Sequence, residues 1–192
     1  MSPPTSSSRD GAPPEPKARP VADWYRFCPH CGAPAEPIGQ VPFRCPECGF
    51  ANFFGPVSAV GGLVVDDRNR LLLVRRARDP GKGLWGLPGG FVDADETIEE
   101  ALRREVREET ELELASFRYL MSGPNHYNYR GIVAPVIDLF YECHAVDISV
   151  LKLAEDELSD CVWSDDPRRQ VDDMAFPSNA VAVRHWMSLQ LD

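Results

Sequence analysis

Residues 95–111, DETIEEALRREVREETE, read as one amphipathic helix whose core-facing side carries acids. On a wheel advancing about 100° per residue, with Glu105 at zero, Ala101, Leu112, Ile98, Leu102 and Val106 fall in an arc from about 320° to about 100°. Glu105 and Glu109 lie inside that apolar arc and Glu108 lies at its edge. Glu100, Arg103, Arg104, Arg107 and Glu111 take the solvent side. Three carboxylates this close cannot all stay ionised in a semi-buried cleft without cations between them. Protonation or arginine pairing would relieve them, and so would a hard divalent cation such as Mg²⁺, which suits an all-oxygen donor set. The preceding loop, LPGGFVDADE, carries two consecutive glycines that let the backbone approach a ligand or a metal closely.

A second pattern bounds the start of the chain. Cys28-Pro-His-Cys31-Gly and Cys45-Pro-Glu-Cys48-Gly are near-copies. Each can form a tight knuckle with both sulfurs facing one point, and two knuckles supply the four thiolates of a tetrahedral zinc site. A redox pair or incidental thiols would not need the duplication. Apolar residues are few between 24 and 54, so this zinc ribbon, residues 23–54, is expected to need its metal to fold. Cys143 and Cys161 fall in expected strands and read as small core residues. Residues 1–22, rich in Pro, Ser, Gly and Ala, are expected to be a disordered tail.

From residue 55 to 192 the texture becomes that of a globular domain. VSAVGGLVVDD and RLLLVRRA, joined by Asp66-Asp67-Arg68-Asn69, predict a hairpin. Further strands are expected at 115–121, 132–146 and 161–163, and a last helix after Pro177 with Ser178 as its N-cap. Strands and helices mix without a βαβα rhythm, which predicts α+β layers rather than a doubly wound sheet.

The net charge is −10, and residues 93–113, with ten acids and three arginines, hold −7 of it. Such a chain would repel a phosphate backbone, so broad nucleic-acid binding is not expected. No run approaches the ~20 apolar residues of a membrane-spanning helix, and no apolar leader follows the first Met. The expectation is a soluble, cytoplasmic protein without a membrane partner.

Gly90, Glu96 and the run Arg104-Glu105-Val106-Arg107-Glu108-Glu109-Thr110-Glu111-Leu112 together closely resemble the Nudix box. Every defining position agrees except Glu111, where the family has Gly. The resemblance extends over residues 57–190 and implies an α/β/α sandwich around a mixed sheet. With the ribbon ahead of it, the chain resembles the zinc-ribbon branch of the family, which includes NADH pyrophosphatases. It implies a hydrolase that cleaves the diphosphate of a nucleoside diphosphate linked to another moiety, such as ADP-ribose, NADH or FAD. Glu105, Glu108 and Glu109 would ligate Mg²⁺ or Mn²⁺, assisted by the backbone carbonyl of Gly90 or Gly89. Glu96 would pair with Arg104 and so orient Glu105. The general base would be Glu105, or else Glu157, which also reads as a further ligand or as a solvated loop acid. A non-catalytic nucleotide sensor of the same fold is the alternative, and family habit would allow a homodimer.

For the substrate, PNHYNYRG (124–131) reads as a loop whose Asn125, His126, Tyr127, Tyr129 and Arg130 could stack on a base or meet a phosphate, or simply form a surface turn. Phe176 keeps the Phe-Pro of a motif in the NADH pyrophosphatases but stands without that motif's Trp, so NADH specificity is not implied. Trp85 reads as core or pocket wall. Glu111 lies where a helix ends in left-handed backbone, so it either bears about 1 kcal/mol of strain or lets the helix run one residue further.

Overall fold

The computed structural model describes residues 17–190. Two strands at its centre, β4 (Val57–Val64) and β5 (Leu71–Arg76), are apolar on both faces because each serves two cores. Val60, Val64, Leu72 and Val74 point into one core, and Leu63, Val65, Leu71 and Leu73 into the other. This period-2 alternation between two buried faces defines the middle layer of an α/β/α sandwich. One core is closed by α1 (Ile98–Thr110) through Ala101, Leu102 and Val106. The other is closed by α3 (Pro177–Leu189) through Ala180, Ala182, Val183 and Trp186.

The sheet is mixed. β4 runs parallel to β8 (Ile132–Ala145), and β7 (Leu114–Tyr129) is antiparallel to β8 on its other side. β5 pairs instead with β6 (Trp85–Gly86) and β9 (Leu158–Ser164), both antiparallel. The expected hairpin between β4 and β5 is therefore a turn without a ladder. The Asp66 carboxylate accepts the Arg68 and Arg70 amides and pairs with the Arg70 guanidinium, which closes the turn. Beyond the single bridge Val65–Leu71, the two strands diverge into separate sheets, since each finds a longer partner elsewhere.

The stretch expected as a loop at 124–131 is another correction. β7 continues through it to Tyr129, and only Arg130 and Gly131, both with positive φ, make the turn into β8. Two central residues with φ > 0 match the twist of a two-residue hairpin.

The helices begin where side chains satisfy their free amides. Thr97 and Glu100 form a reciprocal capping box, so α1 starts at Ile98, a turn later than its acidic lead-in suggested. At the other end Glu111 takes the left-handed conformation, φ 57°, its amide donating to the Arg107 carbonyl. Phe176, not Ser178, holds the N-cap position of α3, and Pro177 with its fixed φ starts the helix. Ser178 is buried and bonded elsewhere, as described below. A short helix, α2 (Arg168–Val171), precedes α3.

Residues 19–20 form β1 (Arg19–Pro20), parallel to Ile132–Val133 of β8, and 21–24 a 3₁₀ turn. Of these, residues 19–22 were expected in a disordered tail; residues 1–16 of that tail lie outside the described part. A small lobe follows, with the hairpin of β2 (Phe43–Arg44) and β3 (Ala51–Asn52) and a core of Cys28, Ala35, Phe43 and Cys45. No helix among the described residues is long and apolar enough to cross a membrane.

Candidate functional site

In the small lobe, the ligand atoms of Cys28, Cys31, Cys45 and Cys48 all lie within 4.8 Å of one another. The Cys28–Cys48 and Cys31–Cys45 sulfurs are 3.7 and 3.6 Å apart. A tetrahedron with Zn–S bonds of about 2.3 Å has edges of about 3.8 Å, so the four sulfurs already stand at zinc spacing. Burial opposes ionisation of Cys28, but the Cys31 and His30 amides outweigh it and bring this thiol down to about 6. Cys31 and Cys48 go the other way: against the Ala33 and Phe50 amides, burial and the neighbouring sulfurs push both up, Cys48 to about 12. Four thiolates at this spacing therefore need a cation among them.

The second site is a cleft of about 310 Å³ between α1, the ends of β4 and β5, and the start of α3. Its glycine loop is laid along β4: Val60 N–H donates to the Gly90 carbonyl and Val92 N–H to the Ser58 carbonyl. A Cβ at Gly89 would lie 2.1 Å from the Val60 carbonyl oxygen, and one at Gly90 would lie 2.5 Å from the Glu105 carboxylate. At Gly89, with positive φ and backbone in the way, only glycine permits this approach; at Gly90 a side chain would have to displace the Glu105 carboxylate. The loop then meets α1 directly, through a 2.9 Å hydrogen bond from Gly89 N–H to Glu109 Oε2.

The three helix carboxylates differ as the wheel predicts. Glu109 is 6% exposed, the Glu105 side chain 16% and the Glu108 side chain 55%. Burial pushes Glu109 up to about 8, against the Gly89 amide, and the charges of Glu105 and Glu157 add to the push. Burial likewise raises Glu105, although Arg104 pulls it back. Arg104 departs from the wheel, which sent it to solvent. Its guanidinium reaches around the helix to Glu96 (Nε–Oε2 3.0 Å), Glu105 (2.8 Å), Glu108 (3.2 Å) and the Phe91 carbonyl (3.0 Å). A long side chain can do this from a boundary position where a short one could not. The Arg104 hydrogen bonds in turn hold Glu96 below the usual carboxylate range.

Glu157, at the turn before β9, lines the same cleft and is ion-paired with Arg78. Tyr127 and Phe176 also line it; their rings stack at 6.2 Å, with Phe91 edge-on to Tyr127 at 5.1 Å and Arg76 over Phe176 at 5.2 Å. Tyr129 and Arg130 are not brought to the cleft. They sit at the far tip of the β7–β8 hairpin, where Arg130 lies over the Tyr129 ring. Trp85 is buried in the α3-side core under Arg75.

Sequence reading missed Arg76, Arg78, Phe91, Asp138 and Asn179, all of which line the cleft. For the arginines the signal was a basic cluster, RRAR, closing an apolar strand. For Asp138 it was an acid in the middle of the apolar run IVAPVIDLFYECHAV, four residues ahead of a second acid, Glu142.

The cleft is acid-lined and glycine-floored, carries Arg76 and Arg78 on its wall, and is set in an α/β/α sandwich. The NUDIX domain family matches residues 55–189, and the chain belongs to that family. An ADP-ribose pyrophosphatase from Methanocaldococcus jannaschii is 40% identical over 87 residues, 44% of this chain and 50% of its own. The NAD-capped RNA hydrolase NUDT12 of Macaca fascicularis is 30% identical over 202 aligned residues, covering 90% of this chain and 41% of its own. The chain thus spans half the length, or less, of these curated relatives. The crystal structure of a MutT NUDIX hydrolase from Burkholderia pseudomallei is similar, with a TM-score of 0.54 and 28% identity, over 68% of this chain and 98% of that one.

Proposed function

We propose that this chain is a Mg²⁺- or Mn²⁺-dependent pyrophosphohydrolase. It would cleave the diphosphate of a nucleoside diphosphate joined to a second moiety, with ADP-ribose or a dinucleotide such as NADH or FAD as substrate. The observation that carries this reading is Glu109, a carboxylate driven up to about 8 by burial and left beside two further acids in an open cleft. A sensor that only bound a nucleotide would have no use for so costly an arrangement.

The donor chemistry suits a hard divalent ion: Glu105, Glu108 and Glu109 offer carboxylate oxygens, and the Gly90 carbonyl keeps a second lone pair beyond its bond to Val60. Among the described residues only the four cysteine sulfurs stand at mutual ligand spacing, so these carboxylates would have to draw together around the ion. Such an ion would neutralise charge developing on the phosphoryl oxygens. The chain's own groups do the rest. Arg104 holds Glu105 and Glu96 in register with the glycine loop. Arg76 and Arg78 stand where they can meet phosphate oxygens, Arg78 at the expense of its pairing with Glu157. Glu105, or Glu157 once released from Arg78, would take a proton from an attacking water; both line the cleft. Phe176, Tyr127 and Phe91 offer flat apolar surface for a ring.

The printed names of several relatives add an NAD-capped RNA end to the candidate substrates. The chain's net charge of −10 argues that only the capped end, not an extended RNA backbone, would be held. The site proposed for zinc in the small lobe is structural, since its four thiols leave no open position.

The test is turnover of ADP-ribose, NADH, FAD and NAD-capped RNA in Mg²⁺ or Mn²⁺, reading mononucleotide products without release of inorganic phosphate. Glu109→Gln is expected to lower kcat at least about a hundredfold, the loss of several kcal/mol of charge stabilisation. Absence of turnover on every substrate with either metal would refute the hydrolase reading.

A further inference from the structure

Four acids are buried in the described part of the chain: Asp66, Glu109, Asp138 and Glu142. Three have evident reasons to be there. Asp66 closes a turn and pairs with Arg70. Glu142 takes two hydrogen bonds from Arg118 and a third from the Trp186 indole. Glu109 belongs to the helix carboxylates beside the glycine loop. Asp138 has no comparable partner, and among the described residues no Lys, Arg or His forms an ion pair with it. It stands in the middle of β8, is 6% exposed, and faces the cleft.

The neighbourhood of Asp138 is arranged around that carboxylate. Ser178, at the start of α3, donates its hydroxyl to Oδ2. Burial raises the Asp138 pKa, and the Ser178 and Asn125 side chains act against that rise. An ionised carboxylate accepts about four hydrogen bonds, so acceptor capacity remains. The strand positions opposite Asp138 carry almost no side chain: Ala59 on β4 and Gly123 on β7. A Cβ at Gly123 would meet nothing within 4 Å, so the space beside Asp138 is open. Asn125 and Asn179 also line the cleft. Tyr127 lies two residues beyond Asn125, and Phe176 two residues before Ser178. The aromatic wall and the brace on the carboxylate are thus delivered by the same two segments.

Resting on the reading of this cleft as a nucleotide site, we propose that Asp138 is its specificity-determining residue. Its carboxylate accepts a hydrogen bond from an exocyclic amino or carboxamide N–H on the ring of the ligand. The cleft then selects such rings over those that present a carbonyl or a carboxylate at the same place, because a second acceptor set against a buried acceptor leaves both unsatisfied. Ser178 and Asn125 are positioning residues that hold the carboxylate toward the slot.

Equilibrium binding with Mg²⁺ present tests this without turnover, using two matched pairs of probes. AMP and IMP differ by an amino group against a carbonyl; nicotinamide mononucleotide and nicotinic acid mononucleotide differ by a carboxamide against a carboxylate. The expected result is at least tenfold tighter binding of the N–H-bearing member in one pair or both. Asp138→Asn, which keeps the size and an oxygen for Ser178, should bring that ratio to within about threefold. Ratios within twofold for both pairs in the unaltered protein would overturn the proposal even if the variant failed to fold. A preference that survived Asp138→Asn, or failure of all four probes to bind, would overturn it too. Failure of the hydrolase reading would look different, as binding preference without turnover of any diphosphate substrate.

Discussion

Glu109→Gln should make the protein more stable while making it inactive, and the size of the gain follows from burial. The carboxyl is 6% exposed and titrates at about 8, against an ordinary value of 4.5. Between those values the folded chain holds a proton that the unfolded chain has released, so stability falls as pH rises through the window. At 1.36 kcal/mol per pK unit, the penalty grows by about 3 kcal/mol between pH 5 and pH 7.5. Glutamine keeps an oxygen for the Gly89 amide and carries no charge, so the variant escapes that slope. Urea unfolding would be followed in buffer freed of Mg²⁺ and Mn²⁺ but with zinc retained. The gap between variant and parent should widen by about 3 kcal/mol from pH 5 to 7.5. Mg²⁺ at 100 times its Kd should then return about 2.7 kcal/mol to the parent and little to the variant. A gap that stayed constant with pH, or a variant less stable than the parent at pH 7.5, would refute the claim that Glu109 is a buried, uncompensated acid.

Three further outcomes are expected. Gly90→Ala places a methyl within 2.5 Å of the Glu105 carboxylate, so the Mg²⁺ concentration for half-maximal activity should rise about tenfold or more while the melting temperature moves little. Glu111→Gly relieves left-handed strain of about 1 kcal/mol, the solvent-exposed pair with Lys152 being little loss, and should raise stability in urea unfolding with kcat unchanged within about twofold. Metal analysis should find about one zinc per chain, and Cys45→Ser should remove it and expose the small lobe to protease.

Local chemistry made much of this legible in the sequence. Cysteine spacing placed the four sulfurs together, and helical periodicity turned Glu105 and Glu109 toward the cleft. What it could not rank was one partner against another. β4 and β5 each read as half of a hairpin, yet β8 and β9 offered them longer ladders. The polar residues of 124–131 suggested a loop, whereas a two-residue turn let the strand run almost to its end. Arg104 reached from the edge of the solvent arc into the cleft because a guanidinium on a flexible stem answers to carboxylates, not to helix phase. Asp138 was visible as an acid inside an apolar run, but its relation to Ser178 depends on a helix forty residues later.

The short strand at Arg19–Pro20 changes what the zinc lobe is. β1 and β4 lie end to end along the same edge of β8, at Ile132–Val133 and from Val136 onward. Everything between them, cysteines included, is therefore an excursion from one sheet edge that leaves and returns to the same rail. If its metal were stripped, the lobe would relax into a loop fastened at both ends rather than a free arm. The catalytic layers could then outlast the ribbon, and a chelator would be expected to produce two separate unfolding events in place of one.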